Sequence, residues 1–225
     1  MTIFERAVNL VPDGTAIGLG SGRAARAFVE MLGERIRSGR LNVRGVPTSN
    51  ETARHATEHG VPLIDLAEAR ELSIAVDGAD EVDPQFNLIK GYGRALFREH
   101  IVAESSRHLI ILVGAEKLVP QLGARGRLPV EVVPFALPLC RRRLEELGLS
   151  PVMWEQDGKP GVTDNGNYIL DCATEPISDV PRRIAAIKMI PGVVVSGLFW
   201  GTRKTSVLVG DDRDFQMIEE LTNER

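Results

Sequence analysis

Over roughly its first half, the chain alternates short apolar runs with amphipathic stretches, and each run ends in a loop of small or polar residues. Residues 15–19 read as a strand that runs into Gly18-Leu19-Gly20-Ser21-Gly22. In 24–32, Ala24, Ala27, Phe28 and Met31 then recur at helical spacing. The cycle repeats with 42–46, then Pro47-Thr48-Ser49-Asn50 and a helix from Glu51; with 72–76, then Asp77; and with 109–113, then Gly114. Strands that alternate with helices form an open, mostly parallel, doubly wound sheet with helices on both faces. In such a sheet, ligands are taken at the loops that follow the strands' carboxyl ends.

The rhythm changes near Leu128-Pro129. Residues 130–133, 151–155, 168–172 and 193–199 read as strands, and 135–147 and 180–189 as helices. Thr163-Asp164-Asn165-Gly166-Asn167 carries the Asn-Gly turn signal. The order β-α-β-β-α-β is that of a ferredoxin-like α+β domain. The expected organisation is therefore a Rossmann-like domain over 1–128 and 204–225, with an inserted ferredoxin-like domain over 129–203. Within the returning segment, 205–209 reads as a strand and 215–221 as a helix.

The chain has 225 residues, 43% hydrophobic and 26% charged, within the range of globular proteins. A formal net charge of -4 disfavours a nucleic-acid partner. The one basic run, Arg141-Arg142-Arg143, continues into Glu145 and Glu146 and reads as a solvated helix face. Residues 1–13 lack the apolar run of a signal peptide, and no uncharged stretch is long enough to span a bilayer, so a cytoplasmic location is expected. Cys140 and Cys172 have no metal-ligand spacing and read as buried small apolar residues.

Four segments could carry chemistry. The glycine loop at 18–22 reads either as a phosphate cradle at a helix start or as a tight turn that needs glycine only for its backbone angles. Arg23 stands where a dinucleotide fingerprint needs glycine, and 40–46 offers Arg40 and Arg44 in place of an acid, which disfavours a nicotinamide cofactor. Asp77-Gly78-Ala79-Asp80-Glu81-Val82-Asp83 puts four carboxylates after a buried strand. A carboxylate there costs free energy unless used or paired, which favours function for Asp77 and Asp80 and turn or cap roles for Glu81 and Asp83. The spacing does not match a calcium loop.

Lys90-Gly91-Tyr92-Gly93 leads into a helix over 94–104, on which Ala95, Leu96, Val102 and Ala103 form an apolar arc that includes Glu99. An acid with apolar helix neighbours is expected to have a raised pKa, suited to a general base; the competing reading is a buried acid paired to a distant cation. A carboxylate base with a lysine near the developing oxyanion fits proton transfer beside a carbonyl, as in aldose-ketose isomerisation.

Together, Gly18-Leu19-Gly20-Ser21-Gly22, Pro47-Thr48-Ser49, Asp77-Gly78-Ala79-Asp80-Glu81, Lys90-Gly91-Tyr92-Gly93 with Arg98-Glu99, and 161–167 resemble the ordered signature of ribose-5-phosphate isomerase A over nearly the whole chain. The resemblance implies a homodimer or homotetramer that acts on a sugar phosphate and needs no metal or organic cofactor. It implies Glu99 as the base moving a proton between C1 and C2, Asp77 as the aid to ring opening, and Lys90 as the stabiliser of the enediolate. Substrate contacts are implied for Ser21, Gly22, Arg23, Ala24, Asp77, Gly78, Ala79, Asp80, Lys90, Gly91, Tyr92, Gly93 and Lys117. Arg23 and Ala24 stand where the family usually has small hydroxyl residues, and Tyr92 and Arg94 replace small residues in the lysine loop. These departures leave open a different aldose or aldose phosphate as substrate. A non-catalytic sugar-phosphate sensor is the rival from another class, although no added helix-turn-helix segment accompanies the chain.

Overall fold

The computed structural model describes residues 1–69, 71–201, 204–211 and 215–223. The chain begins with α1 (Ile3–Asn9), β1 (Ala16–Leu19), α2 (Arg23–Arg37), β2 (Arg44–Pro47) and α3 (Asn50–Glu58). β3 (Ile74–Gly78), the short strands β4 (Glu81–Val82) and β5 (Leu88–Ile89), α4 (Leu96–Glu104) and β6 (Leu109–Gly114) follow. Next come β7 (Arg127–Val132), α5 (Leu137–Glu146), β8 (Ser150–Met153), β9 (Glu155–Gln156) and β10 (Lys159–Pro160). The remaining elements are β11 (Tyr168–Ala173), α6 (Val180–Lys188), β12 (Val193–Ser196), β13 (Leu198–Phe199), β14 (Thr205–Gly210) and β15 (Met217–Thr222).

Two compact units emerge. The first holds Met1–Ala79, Arg98–Lys117 and the described part of Thr202–Arg225. Its six-stranded sheet has the order β15-β14-β6-β3-β1-β2, parallel throughout except for β15. β6 and β14 are buried along their whole length, as strands covered on both faces must be. On one face, Ile17, Leu19, Ile74, Val76, Ile110, Leu112 and Leu208 share a core with α1 and α2 through Ile3, Phe28, Val29 and Leu32. The other face receives α4 so closely that a Cβ on Gly18 would lie 2.3 Å from Val102 Cγ1. Helices therefore cover both faces, and the loops of the doubly wound sheet open at its carboxyl edge.

The second unit comprises Asp80–Phe97 and Leu118–Gly201. Its four-stranded antiparallel sheet runs β12-β7-β11-β8, and with α5 and α6 this is the ferredoxin-like order. Segments 80–97 and 118–128 pack with it: β5 pairs with β4 and β13, and Ile89, Val119 and Leu122 join its core. Cys140 and Cys172 are free thiols buried in that core, and burial pushes the Cys172 thiol up to about 12.

Residues 215–221, expected as a helix, instead supply the antiparallel edge strand β15. Phe215 adopts a left-handed backbone (φ 58°) that breaks a helical start, and the edge amides of β14 find partners from Ser206 to Gly210. The expectation also passed over α1, whose signal is Thr2-Ile3-Phe4-Glu5. The Thr2 hydroxyl accepts from the Glu5 amide while the Glu5 carboxylate accepts from the Thr2 amide, a reciprocal capping box. Among the described residues, no helix is long and apolar enough to cross a membrane.

Candidate active site

In the first unit, the ends of β1 and β3 meet at Asp77. Parallel pairing sets β1 directly beside β3, so the loop after β1 meets the end of β3. Asp77 is 4% exposed, and its Oδ1 accepts from the Ser21 amide at 3.1 Å and from the Gly78 amide at 2.8 Å. Gly20 makes that approach possible, because a Cβ there would lie 2.2 Å from the Asp77 carboxylate. Gly22 caps α2 at φ 90°, a left-handed conformation that favours glycine, and makes no side-chain cap bond. Ala24 is half-buried in the first turn of α2, and Arg23 is exposed with its guanidinium 5.3 Å from the Phe215 ring centroid.

The Ser21 hydroxyl faces a cluster that the composition of the loops did not reveal as a unit. It lies 2.8 Å from Thr48 Oγ1, 3.0 Å from Ser49 Oγ and 3.1 Å from Thr52 Oγ1. Thr48 and Thr52 donate to the carbonyls of Leu19 and Gly20, and Ser49 caps α3 by accepting from the Thr52 amide. These hydroxyls thus fasten the β1 loop to the β2 loop. Pro47-Thr48-Ser49 was the legible part; Thr52, one helical turn further, required the cap geometry.

The same unit carries Glu99, 4% exposed on α4, with Val102 and Ala103 also buried. Its neighbour Arg98 donates to the Asn50 side chain at 3.1 Å, which ties the start of α4 to the start of α3. Gly78 ends β3, Ala79 follows it, and Lys117 lies partly exposed in the turn after β6.

The second unit carries Asp80 and the lysine loop. Asp80 accepts from the Tyr92 amide at 3.0 Å, while its own amide donates to the Ile89 carbonyl. Lys90 is 3% exposed, with Nζ 5.6 Å from the Phe199 ring centroid. Its amide donates to the Gly197 carbonyl, and a Cβ on Gly197 would lie 2.2 Å from the Lys90 carbonyl oxygen. Gly91 needs its φ of 110°, and Gly93 is exposed.

The two large residues of this loop are tied into their own unit. The Tyr92 hydroxyl donates to the Arg127 carbonyl, and the Arg127 guanidinium stacks 3.8 Å from its ring centroid. Burial, followed by the Asp80 charge, raises the Tyr92 phenol's pKa. Arg94 grips Asp171 with two bonds of 2.7 and 2.9 Å and lies over Trp154. Glu81 and Asp83 serve the backbone: Glu81 accepts from the Gly123 and Arg125 amides, and Asp83 from Gln85 and Asn87.

Compared with known families, residues 44–214 match the sequence model of ribose 5-phosphate isomerase A (phosphoriboisomerase A). The chain belongs to this family. Ribose-5-phosphate isomerase A of Roseiflexus castenholzii is 49% identical over 210 residues, covering 92% of this chain and 90% of the relative. That of Gloeobacter violaceus is 48% identical, covering 96% and 94%. Among solved structures, ribose 5-phosphate isomerase A of Methanocaldococcus jannaschii shares 39% identity at a TM-score of 0.89, covering 97% and 96% of the two chains. A D-ribose-5-phosphate isomerase in complex with phospho-erythronic acid shares 34% identity at a TM-score of 0.92, covering 98% and 96%.

Proposed function

We propose that this chain is an isomerase that interconverts D-ribose 5-phosphate and D-ribulose 5-phosphate through a cis-enediolate, in the pentose phosphate pathway. The observation that carries the reading is the match to ribose-5-phosphate isomerases A over more than nine-tenths of the chain at nearly half identity. Phospho-erythronic acid, bound by one structural relative, is a phosphorylated acid whose planar carboxylate imitates the two oxygens of an enediolate.

In this reading, Asp77 assists ring opening by exchanging a proton with the ring and anomeric oxygens, and it binds sugar hydroxyls together with Asp80. Glu99 removes the proton from C2 of the open aldose. Electrons from that C–H bond form the C1–C2 double bond, and the carbonyl oxygen gains the charge that the Lys90 ammonium offsets. Glu99 returns the proton to C1, the O2 proton passes to O1, and the ketose results. Gly78, Ala79 and Tyr92 contact the sugar, and Gly91 and Gly93 do so through their backbone. Ser21, Gly22, Arg23 and Ala24 meet the phosphate, and Lys117 adds a cation. The reading includes a homodimer or homotetramer in the cytoplasm, with 129–203 as the inserted domain.

The test is turnover of ribose 5-phosphate in EDTA by wild type and Glu99→Gln. Wild type should form the ketose, and the variant should lose about 10²- to 10⁴-fold in kcat while keeping its fold. A folded wild type with no turnover, or a fully active variant, would overturn the reading or its base, respectively.

A further inference from the structure

Away from these loops, the first unit places Glu30 of α2 against His55 and His59 at the end of α3. The two helices meet tightly at Gly33, where a Cβ would lie 2.2 Å from the His59 carbonyl oxygen. Gly33 stands three residues after Glu30, and His59 four after His55, so each pair shares one face of its segment. One potential ligand atom from each of Glu30, His55 and His59 lies within 4.8 Å of the others. The imidazole rings are 4.3 Å apart between centroids, tilted by 52°.

We propose that Glu30, His55 and His59 form a binding site for a divalent transition metal of the zinc class, bracing α2 against α3. His55 Nε2 is 3.4 Å from a Glu30 carboxylate oxygen, the separation of two ligands on a tetrahedral ion with bonds of about 2.0–2.1 Å. His59 Nδ1 lies 2.9 Å from the His55 carbonyl. A carbonyl only accepts, so Nδ1 carries the proton and Nε2 presents the lone pair, the outer-shell arrangement that orients metal-binding histidines. His55 is buried, with its Nε2 3.3 Å from Arg26 O and 3.4 Å from Glu30 Oε1. The ion takes the Nε2 lone pair of the neutral His55 ring, whose single hydrogen then resides on Nδ1. Glu30 is half-exposed and closes the remaining gap by a rotamer change, with water completing the shell.

Two imidazoles select zinc-class ions over magnesium or calcium, which prefer oxygen ligands. The nearby cations are engaged: Arg26 pairs with Glu51 at 2.7 Å, and Arg37 donates to the His59 carbonyl. A brace here joins the two helices whose starts hold the Ser21, Thr48, Ser49 and Thr52 cluster, and it is independent of the isomerase reading.

Calorimetric titration of the chelator-stripped full chain with zinc chloride tests the site, alongside cobalt(II) absorption spectra. The chain has four histidines, so His108→Gln serves as a control outside the trio. Wild type and His108→Gln should bind one equivalent, and zinc should raise their Tm. Glu30→Gln, an exposed substitution that leaves the fold intact, and His59→Gln should each weaken binding by about tenfold or more, since even outer-shell losses cost that much. Tetrahedral cobalt bands should vanish with them. No zinc bound by wild type, or binding that survives both substitutions, would overturn the proposal.

Discussion

Glu131, at 0% exposure on β7, shows how a loop motif can serve a buried charge. Its Oε1 accepts from Thr163 at 3.0 Å and from Asn167 at 2.9 Å, so part of the 161–167 motif is spent on this acid. Burial raises the Glu131 pKa, opposed by the bonds from Asn167, Thr163, Asn165 and the Phe97 amide. With a folded pKa above the unfolded one, its contribution to stability is present below the usual glutamate range, near about 4.3, and is lost as pH rises through the folded value. Glu131→Gln has no charge to bury, so the Tm of the variant minus that of wild type should grow from pH 4 to pH 8. A difference that stays flat or shrinks would refute the assignment. None of this was visible beforehand, because Glu131 and Thr163 meet only through the pairing of β7 with β11. Asp77, by contrast, was legible as a charge ending an apolar run, although its amide partner Ser21 required the adjacency of β1 and β3.

At the level of elements, the lysine loop is held by a strained residue and an ion pair together. Arg94 has a φ of 66°, which costs a non-glycine residue roughly 1–2 kcal/mol. Its two-pronged grip on Asp171, with side chains 17% and 16% exposed, offsets that strain. Arg94→Ala keeps the strain and loses the grip, so it should destabilise by up to about 3 kcal/mol. Arg94→Gly loses the grip but relieves the backbone, and it should be about 1 kcal/mol more stable than Arg94→Ala. Urea melts of both measure this, and equal stabilities would mean that the backbone is unstrained. Strand and helix periodicity identified most elements here because each buries one face. It misplaced β15, where pairing to a neighbouring edge outweighs a weak helical pattern. Two-residue strands such as β4 and β5 are too short to carry any period.

At the scale of the molecule, each unit is discontinuous in sequence: the chain leaves the first at 79, returns at 98, leaves again at 117 and returns at 202. An excised 129–203 fragment would lack β4, β5 and the core side chains of Ile89, Val119, Leu122 and Leu128. Such a fragment should lack a cooperative thermal transition by circular dichroism. A sharp melt would show that the antiparallel sheet and its helices suffice. The alternation of strands and helices was readable along the chain because it is local, whereas the partition depends on pairings such as β5 with β13, more than a hundred residues apart.

The antiparallel strand that was expected to be a helix has a further role. A sheet that stopped at β14 would present a fully buried, apolar strand with open amides, a template for strand addition by another chain. β15 covers it and turns outward a surface bearing Glu219 and Glu220, the latter held by Arg6 of α1. Carboxylates on an outermost strand make copies of it repel one another at neutral pH. The segment that completes the sheet therefore also guards the protein against aggregation.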